Sequence, residues 1–213
     1  SIGEIRRLAE KRGIPVQQVP QEKLFSLTRA NHQGVIAFVS LFEYVLLQDA
    51  IDQVVSSGKL PLFVLLDGIT DVRNIGAIAR SAVCCGAQAM IIPDKGVAAL
   101  NEEALKSSAG ALEKIHICRV SSLLKAVDTL HLNGISVYAS GMEAEYKVYE
   151  LDWNGPCCIM MGSEDKGLQP YLRKAADRHF AIPMVGNFDS FNVSVAAGIS
   201  LYEAMKKRLM ING

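Results

Sequence analysis

From Leu60 onward the chain alternates short apolar runs with longer amphipathic segments. Leu62–Leu66 is an unbroken apolar run closed by Asp67-Gly68, the form of a parallel strand buried on both faces. Further strands are predicted over 89–92, 115–120, 135–139, 157–161 and 180–182, with helices over 74–85, 102–107, 121–132, 169–176 and 193–208. This order predicts an α/β domain with a mostly parallel sheet and helices on both faces. Ligands of such sheets bind beyond the carboxyl ends of the strands, which singles out the loops after Leu66, Ala139, Met161 and Ile182. Upstream the pattern is more broken. Residues 1–12 read as a helix ended by Gly13, 14–19 as a short strand, 24–27 as part of a short helix, and 35–40 as a strand after the break Asn31-His32-Gln33-Gly34. This opening is too short for a core of its own and reads as the last part of a small α/β domain. An amphipathic helix is predicted over 42–57, and the domain boundary is expected within 40–59.

Composition narrows the class. Apolar residues make up 50% of the 213, enough for a real core and too many for a disordered chain. Basic and acidic side chains balance at 22 each, so contact with nucleic acid has to come from a local patch rather than a global field. The five cysteines fall as Cys84-Cys85, Cys118 and Cys157-Cys158, with no CxxC and no histidine at ligand spacing. No metal site is therefore expected, and the thiols read as small buried apolar residues of a reducing, cytoplasmic compartment. No apolar run is long enough to span a bilayer, so no membrane partner is expected.

Three loops carry unusual chemistry. The first, Asp67 to Ser81, leaves a strand and enters a helix whose first turns hold Gly76 and Ala77, allowing another backbone to approach; it contains Asn74 and Arg80. Met160-Met161-Gly162-Ser163-Glu164-Asp165-Lys166-Gly167-Leu168 forms the second, where two glycines bracket acidic residues after a strand. It has neither the order of a P-loop nor a GxGxxG fingerprint, which makes ATP and NAD poor candidates. The third, Phe188 to Ile199, follows Ile182-Pro183-Met184 and sets Ser190 and Asn192 at the mouth of a helix, where free N–H groups suit a polar or anionic ligand edge. Taken singly, each loop also has an ordinary reading: a surface ion pair for Arg80, a tight turn for the glycine loop, a helix cap for Ser190 and Asn192.

Together, Asn-x-Gly-x-x-x-Arg at Asn74, Gly76 and Arg80, Gly-x-Glu-x-x-Gly at Gly162, Glu164 and Gly167, and Ser-x-Asn-x-Ser-x-Ala from Ser190 to Ala196 resemble the three motifs of the SpoU (TrmH-like) ribose methyltransferases of the SPOUT class. The likeness runs from about Leu60 to Arg208. Lys106 to Glu113 and His32-Gln33-Gly34 resemble the branch that methylates a guanosine ribose in 23S rRNA, while Asp165-Lys166 and Asp189 depart from the usual pattern. The resemblance implies residues 1–44 as the C-terminal part of a ribosomal-protein L30e-like RNA-binding domain, 45–59 as a linker helix and 60–213 as a SPOUT domain with a C-terminal deep trefoil knot. It implies S-adenosylmethionine as cofactor, RNA as substrate and a homodimer. Asn74, Arg80, Glu164, Ser190 and Asn192 are the implied catalytic residues. The implied cofactor pocket comprises Ala139, Ser140, Gly141, Met161, Gly162, Ser163, Glu164, Gly167, Ile182, Met184, Asn192, Val193, Ser194 and Ala197. A tRNA ribose methyltransferase and a catalytically inactive RNA-binding assembly factor are the alternatives. The small residues Ala196, Ala197 and Gly198 are expected where the threaded helix passes beneath a loop.

Overall fold

The computed structural model describes residues 2–38, 42–97, 100–186 and 189–212. The chain divides into two compact units, residues 1–40 and 41–213. In the first, α1 (Ile2–Lys11) ends where Gly13 turns into the left-handed region at φ +66°, and α2 (Gln21–Leu27) follows. The strands expected over 14–19 and 35–40 are not formed at 14–19 or 35–38, and residues 39–40 lie outside the described residues. A strand needs a neighbour to take its backbone hydrogen bonds, and among the described residues of this unit there is none.

The second unit is a seven-stranded sheet of β1 (Leu62–Leu66), β2 (Ala89–Pro93), β3 (His116–Val120), β4 (Ser136–Ser140), β5 (Tyr146–Lys147), β6 (Cys157–Met161) and β7 (Arg178–Ala181). Their order is β3-β2-β1-β6-β4-β7-β5, and every pairing is parallel. Alternation along β1 sends Leu62, Val64 and Leu66 to one core and Phe63 and Leu65 to the other. The first core is closed by α4 (Val72–Cys84), α5 (Glu102–Ser108) and α8 (Val193–Asn212); the second by α3 (Leu47–Ser56), α6 (Leu123–Leu132) and α7 (Pro170–Ala175). Both faces of the sheet are thus covered, which is why its strands can be apolar throughout.

The helix expected over 42–57 is shorter. Tyr44 instead forms a parallel bridge with Ile117, and the Val45 N–H donates to the Ile117 carbonyl at 3.0 Å. This occupies part of the open edge of β3, where the sheet ends. Residues 45–59 are also more than a linker, because α3 buries Leu47, Ala50, Ile51 and Val54 in the second unit's core. At the other end of the domain Arg208 donates to the carbonyls of Trp153, Leu60, Pro61 and Gly155, tying α8 to the chain just before β1 and β6. Among the described residues no helix is long and apolar enough to cross a membrane.

Candidate functional site

Because all strands run the same way, the loops after β1, β4, β6 and β7 leave from one edge of the sheet. Beyond β1 the chain turns through Gly68, at φ +68°, and Asp71 caps α4 by accepting from the Arg73 N–H at 2.8 Å. The Arg73 guanidinium beside Asp71 holds its carboxyl below the ordinary aspartate value. One turn on, Gly76 lets α4 lie hard against α5: a Cβ there would sit 2.8 Å from the Ala104 carbonyl and 2.9 Å from Ser107 Cβ.

The loop after β6 closes on itself. The Gly167 N–H donates to the Ser163 carbonyl at 2.8 Å, with Gly167 at φ +63°. Gly162 lies so close beneath this closure that an added Cβ would be 2.2 Å from the Gly167 carbonyl carbon. The closed loop lifts Glu164 toward α4 and α8. Its Oε1 accepts from Asn74 Nδ2 at 3.4 Å, from the Val193 N–H at 3.1 Å and from Asn192 Nδ2. Asn192 Nδ2 also donates to Asn74 Oδ1 at 3.2 Å. Three residues separated by up to 118 positions in the chain thus form one hydrogen-bonded cluster.

This cluster corrects the expectation of an open helix N-terminus. Val193 N–H is taken by Glu164, and the Ser194 N–H donates to Asn192 Oδ1 at 3.0 Å. Two of the free donors at the start of α8 are therefore satisfied within the protein, and the positive end of the helix faces a carboxylate already. Ser190 is exposed and outside the cluster, and Arg80 is exposed on α4 with no hydrogen bond or ion pair among the described residues. The spacing of six between Asn74 and Arg80 puts them on different faces of α4.

The residues expected around a cofactor fall at three adjacent strand ends. Ala139 is buried opposite Met160 of β6 and His179 of β7; Ser140 pairs with Phe180, and the Gly141 N–H donates to the Phe180 carbonyl at 2.9 Å. Met161 is buried, Ile182 half-buried and Met184 exposed. Ala197 is fully buried against the α4 side of the sheet, and Gly198 faces Ser81 of α4, its Cβ position 3.4 Å from the Ser81 hydroxyl. A cavity of about 500 Å³ opens beside the cluster, between the loops after β1 and β6. Ser163, Glu164, Gly167 and Val193 line it, and Asn74 as well, but 139–141 and 182–184 do not. Sequence reading passed over two of its lining residues, Asp67 and Gln169, which are bonded to each other. A polar residue directly after an apolar strand was the available signal. Among the described residues no three His, Cys, Asp or Glu side chains gather so as to hold a metal ion.

Comparison with known proteins bears on this arrangement. The family model described as SpoU rRNA Methylase family matches residues 61–202. The chain belongs to this family. The SpoU match spans the sheet, the closed glycine loop and the start of α8, so all three motif loops fall within it. A second model, RNA 2'-O ribose methyltransferase substrate binding, matches residues 1–45. Among SpoU relatives, the 23S rRNA (guanosine-2'-O-)-methyltransferase RlmB of Vibrio parahaemolyticus is 37% identical over 92% of this chain and 80% of its own length. The SpoU methyltransferase AviRb of Streptomyces viridochromogenes, solved in complex with AdoMet, superposes with a TM-score of 0.67 at 30% identity, over 70% of this chain and 61% of that one. The TrmH/SpoU tRNA modifying enzyme of A. aeolicus gives 0.65 at 26% identity, over 78% and 86%.

Proposed function

We propose that this protein uses S-adenosylmethionine to methylate a ribose 2'-hydroxyl in RNA, with a guanosine of 23S rRNA as its substrate. The observation that carries the reading is the Asn74–Glu164–Asn192 cluster, which joins the three motif loops at the carboxyl edge of the sheet. The strand ends suit the cofactor: β6, β4 and β7 stop side by side, and just beyond them half-buried Ile182 and exposed Met184 offer apolar surface to a purine. When bound, that cofactor supplies an electrophilic methyl group on a positively charged sulfur.

The chain's own part is alignment. Arg80 is uncommitted, and a guanidinium holds its proton too tightly to serve readily as a base. Its planar fork suits a phosphate oxygen, so it holds the backbone next to the target ribose and sets the hydroxyl in line. Glu164 and Asn74 keep the start of α8 in register, and Asn192 fixes the turn that carries Ser190. The same reading makes residues 1–44 an RNA-binding appendage of L30e type, supported by the substrate-binding model over 1–45. It makes the C-terminal path a threaded knot, and the protein a cytoplasmic homodimer. Exposed Val195, Tyr202 and Leu209, seven apart on α8, support the dimer as one apolar stripe.

The test is incubation with labelled S-adenosylmethionine and unmodified 23S rRNA or tRNA, followed by mapping of the methylated nucleotide. Label on a single 23S guanosine ribose is expected. Label confined to tRNA replaces the substrate, and no label on either RNA overturns the reading.

A further inference from the structure

Asp67 is the one charged side chain of the described second unit that is buried, at 3% exposure, and no Lys, Arg or His among the described residues is paired with it. A buried carboxylate without a cation is costly unless its oxygens find donors. Both donors come from one residue: the Gln169 N–H reaches Oδ2 at 2.8 Å, and Gln169 Nε2 reaches Oδ1 at 2.9 Å. The Asp67 N–H meanwhile donates to the Met161 carbonyl at 2.9 Å, extending the β1–β6 ladder by one bond. Asp67 therefore grips the loop after β6 at both ends, at Met161 where it begins and at Gln169 where α7 starts. Everything between is the closed Gly162–Leu168 turn that carries Glu164.

We propose that Asp67 and Gln169 are positioning residues for methyl transfer: their paired bonds latch the glycine loop so that Glu164 meets Asn74, Asn192 and Val193. The proposal rests on the methyltransferase reading for its catalytic consequence, but not for its mechanics. Rigidity at this point matters because Glu164 holds three donors, on α4 and at the start of α8, through one oxygen, and a shift of the loop breaks all three bonds together. The latch needs complementary donors and acceptors rather than a net charge. An amide at position 67 can still accept from the Gln169 N–H and donate to a turned Gln169 side chain.

The test is a pair of variants in the full chain. Gln169→Glu sets a second carboxylate against Asp67, and Asp67→Asn combined with Gln169→Glu restores a donor facing an acceptor. Gln169→Glu is expected to speed amide hydrogen exchange at Gly167 and Val193 by about tenfold or more, with the amides of β1 unchanged. In the same variant kcat falls by about tenfold to a hundredfold at saturating RNA and cofactor. The double variant returns both to within about threefold of wild type. Val193 lies 24 residues beyond Gln169 in the chain, and its N–H is bonded to the latched loop through Glu164, so its exchange separates a positioning role from a merely local one. Unchanged exchange at Val193, a double variant no better than the single, or faster exchange with an undiminished kcat each overturns the proposal. The exchange measurement needs no methyl transfer. A wild-type chain that methylates neither RNA refutes the proposed function and the catalytic part of this proposal, while exchange still decides the latch.

Discussion

Replacing Gly162 by alanine tests the closed loop most directly. The new Cβ would lie 2.2 Å from the Gly167 carbonyl carbon, 2.3 Å from the Leu168 nitrogen and 2.5 Å from the Gly167 oxygen, all of them backbone atoms that no rotamer change can move. Ordinary contact begins near 3.4 Å, so the two sides of the loop must separate by about 1.2 Å, the difference between 3.4 and 2.2. Such a separation strains or breaks the Gly167 to Ser163 bond at 2.8 Å and the Lys166 N–H to Ser163 Oγ bond at 3.3 Å. Overpacking at about 1–3 kcal/mol, with about 1 kcal/mol for a lost hydrogen bond, gives a destabilisation of about 2–4 kcal/mol. The reduced chain entropy of alanine offsets less than about 1 kcal/mol of this. The domain should remain folded, since typical stabilities are about 5–15 kcal/mol, but Glu164 would be displaced on the scale that costs about a hundredfold in rate. Urea denaturation gives the first number, and titration with S-adenosylmethionine tests whether the loop takes part in holding the cofactor. Gly155→Ala is the control, because nothing lies within 4 Å of its Cβ position. A Gly162→Ala protein with wild-type midpoint and wild-type cofactor affinity would refute the steric argument.

Other substitutions separate the remaining roles. Arg80→Lys keeps the charge and loses the fork, so kcat should fall by about tenfold or more while cofactor affinity stays as in wild type; equal kcat in a steady-state assay removes Arg80 from alignment. Gly198→Ala should be tolerated, since its Cβ would make ordinary contacts with the Ser81 side chain, 3.4 Å from its hydroxyl and 3.8 Å from its Cβ, whereas Gly198→Leu should lower the urea midpoint by forcing α8 away from α4. Arg208→Ala removes the donor from the carbonyls of Trp153 and Gly155, while Leu60 keeps Gln88 Nε2 and Pro61 keeps the Cys157 N–H, and should cost about 2–4 kcal/mol, measured by thermal or urea unfolding. Burial pushes the Cys157 thiol up to about 11 and the Cys118 thiol up to about 12. A raised thiol value in the folded protein gives stability that is complete below the unfolded value of about 8.5 and is lost as pH rises toward 11–12. Stability should therefore decline over that window less steeply in Cys118→Ala, and native-state alkylation at pH 8 should reach exposed Cys84 and spare Cys118, Cys157 and Cys158.

The parts of the fold that could be read from sequence are those whose burial leaves a period in the chain. β1 and β6 were legible as apolar runs because both faces of each are covered, and α4, α6 and α8 because each buries one stripe. The two-residue β5, Tyr146–Lys147, has no length over which a period can show, and it exists only because β7 offers an edge. The strands expected near residues 14–19 and 35–38 failed for the opposite reason: their local pattern suits a strand, but pairing is a property of a neighbour the described unit does not supply.

The same division runs through the site. Motif spacing marked Asn74, Glu164 and Asn192, yet spacing along a chain carries no information about what a side chain will bond to across 90 or 118 residues. Their mutual bonds change the chemistry assigned to the start of α8. An N-cap with free N–H groups is a binding site only if nothing in the protein reaches it first, and here Glu164 does. The loop after β6 therefore acts on the third motif as an internal anion would, while Arg80 stays exposed on another face of α4 with no partner among the described residues. A site organised this way uses its carboxylate to hold its own elements in register. Loss of Glu164 should then disturb the position of α8 before it disturbs any proton transfer.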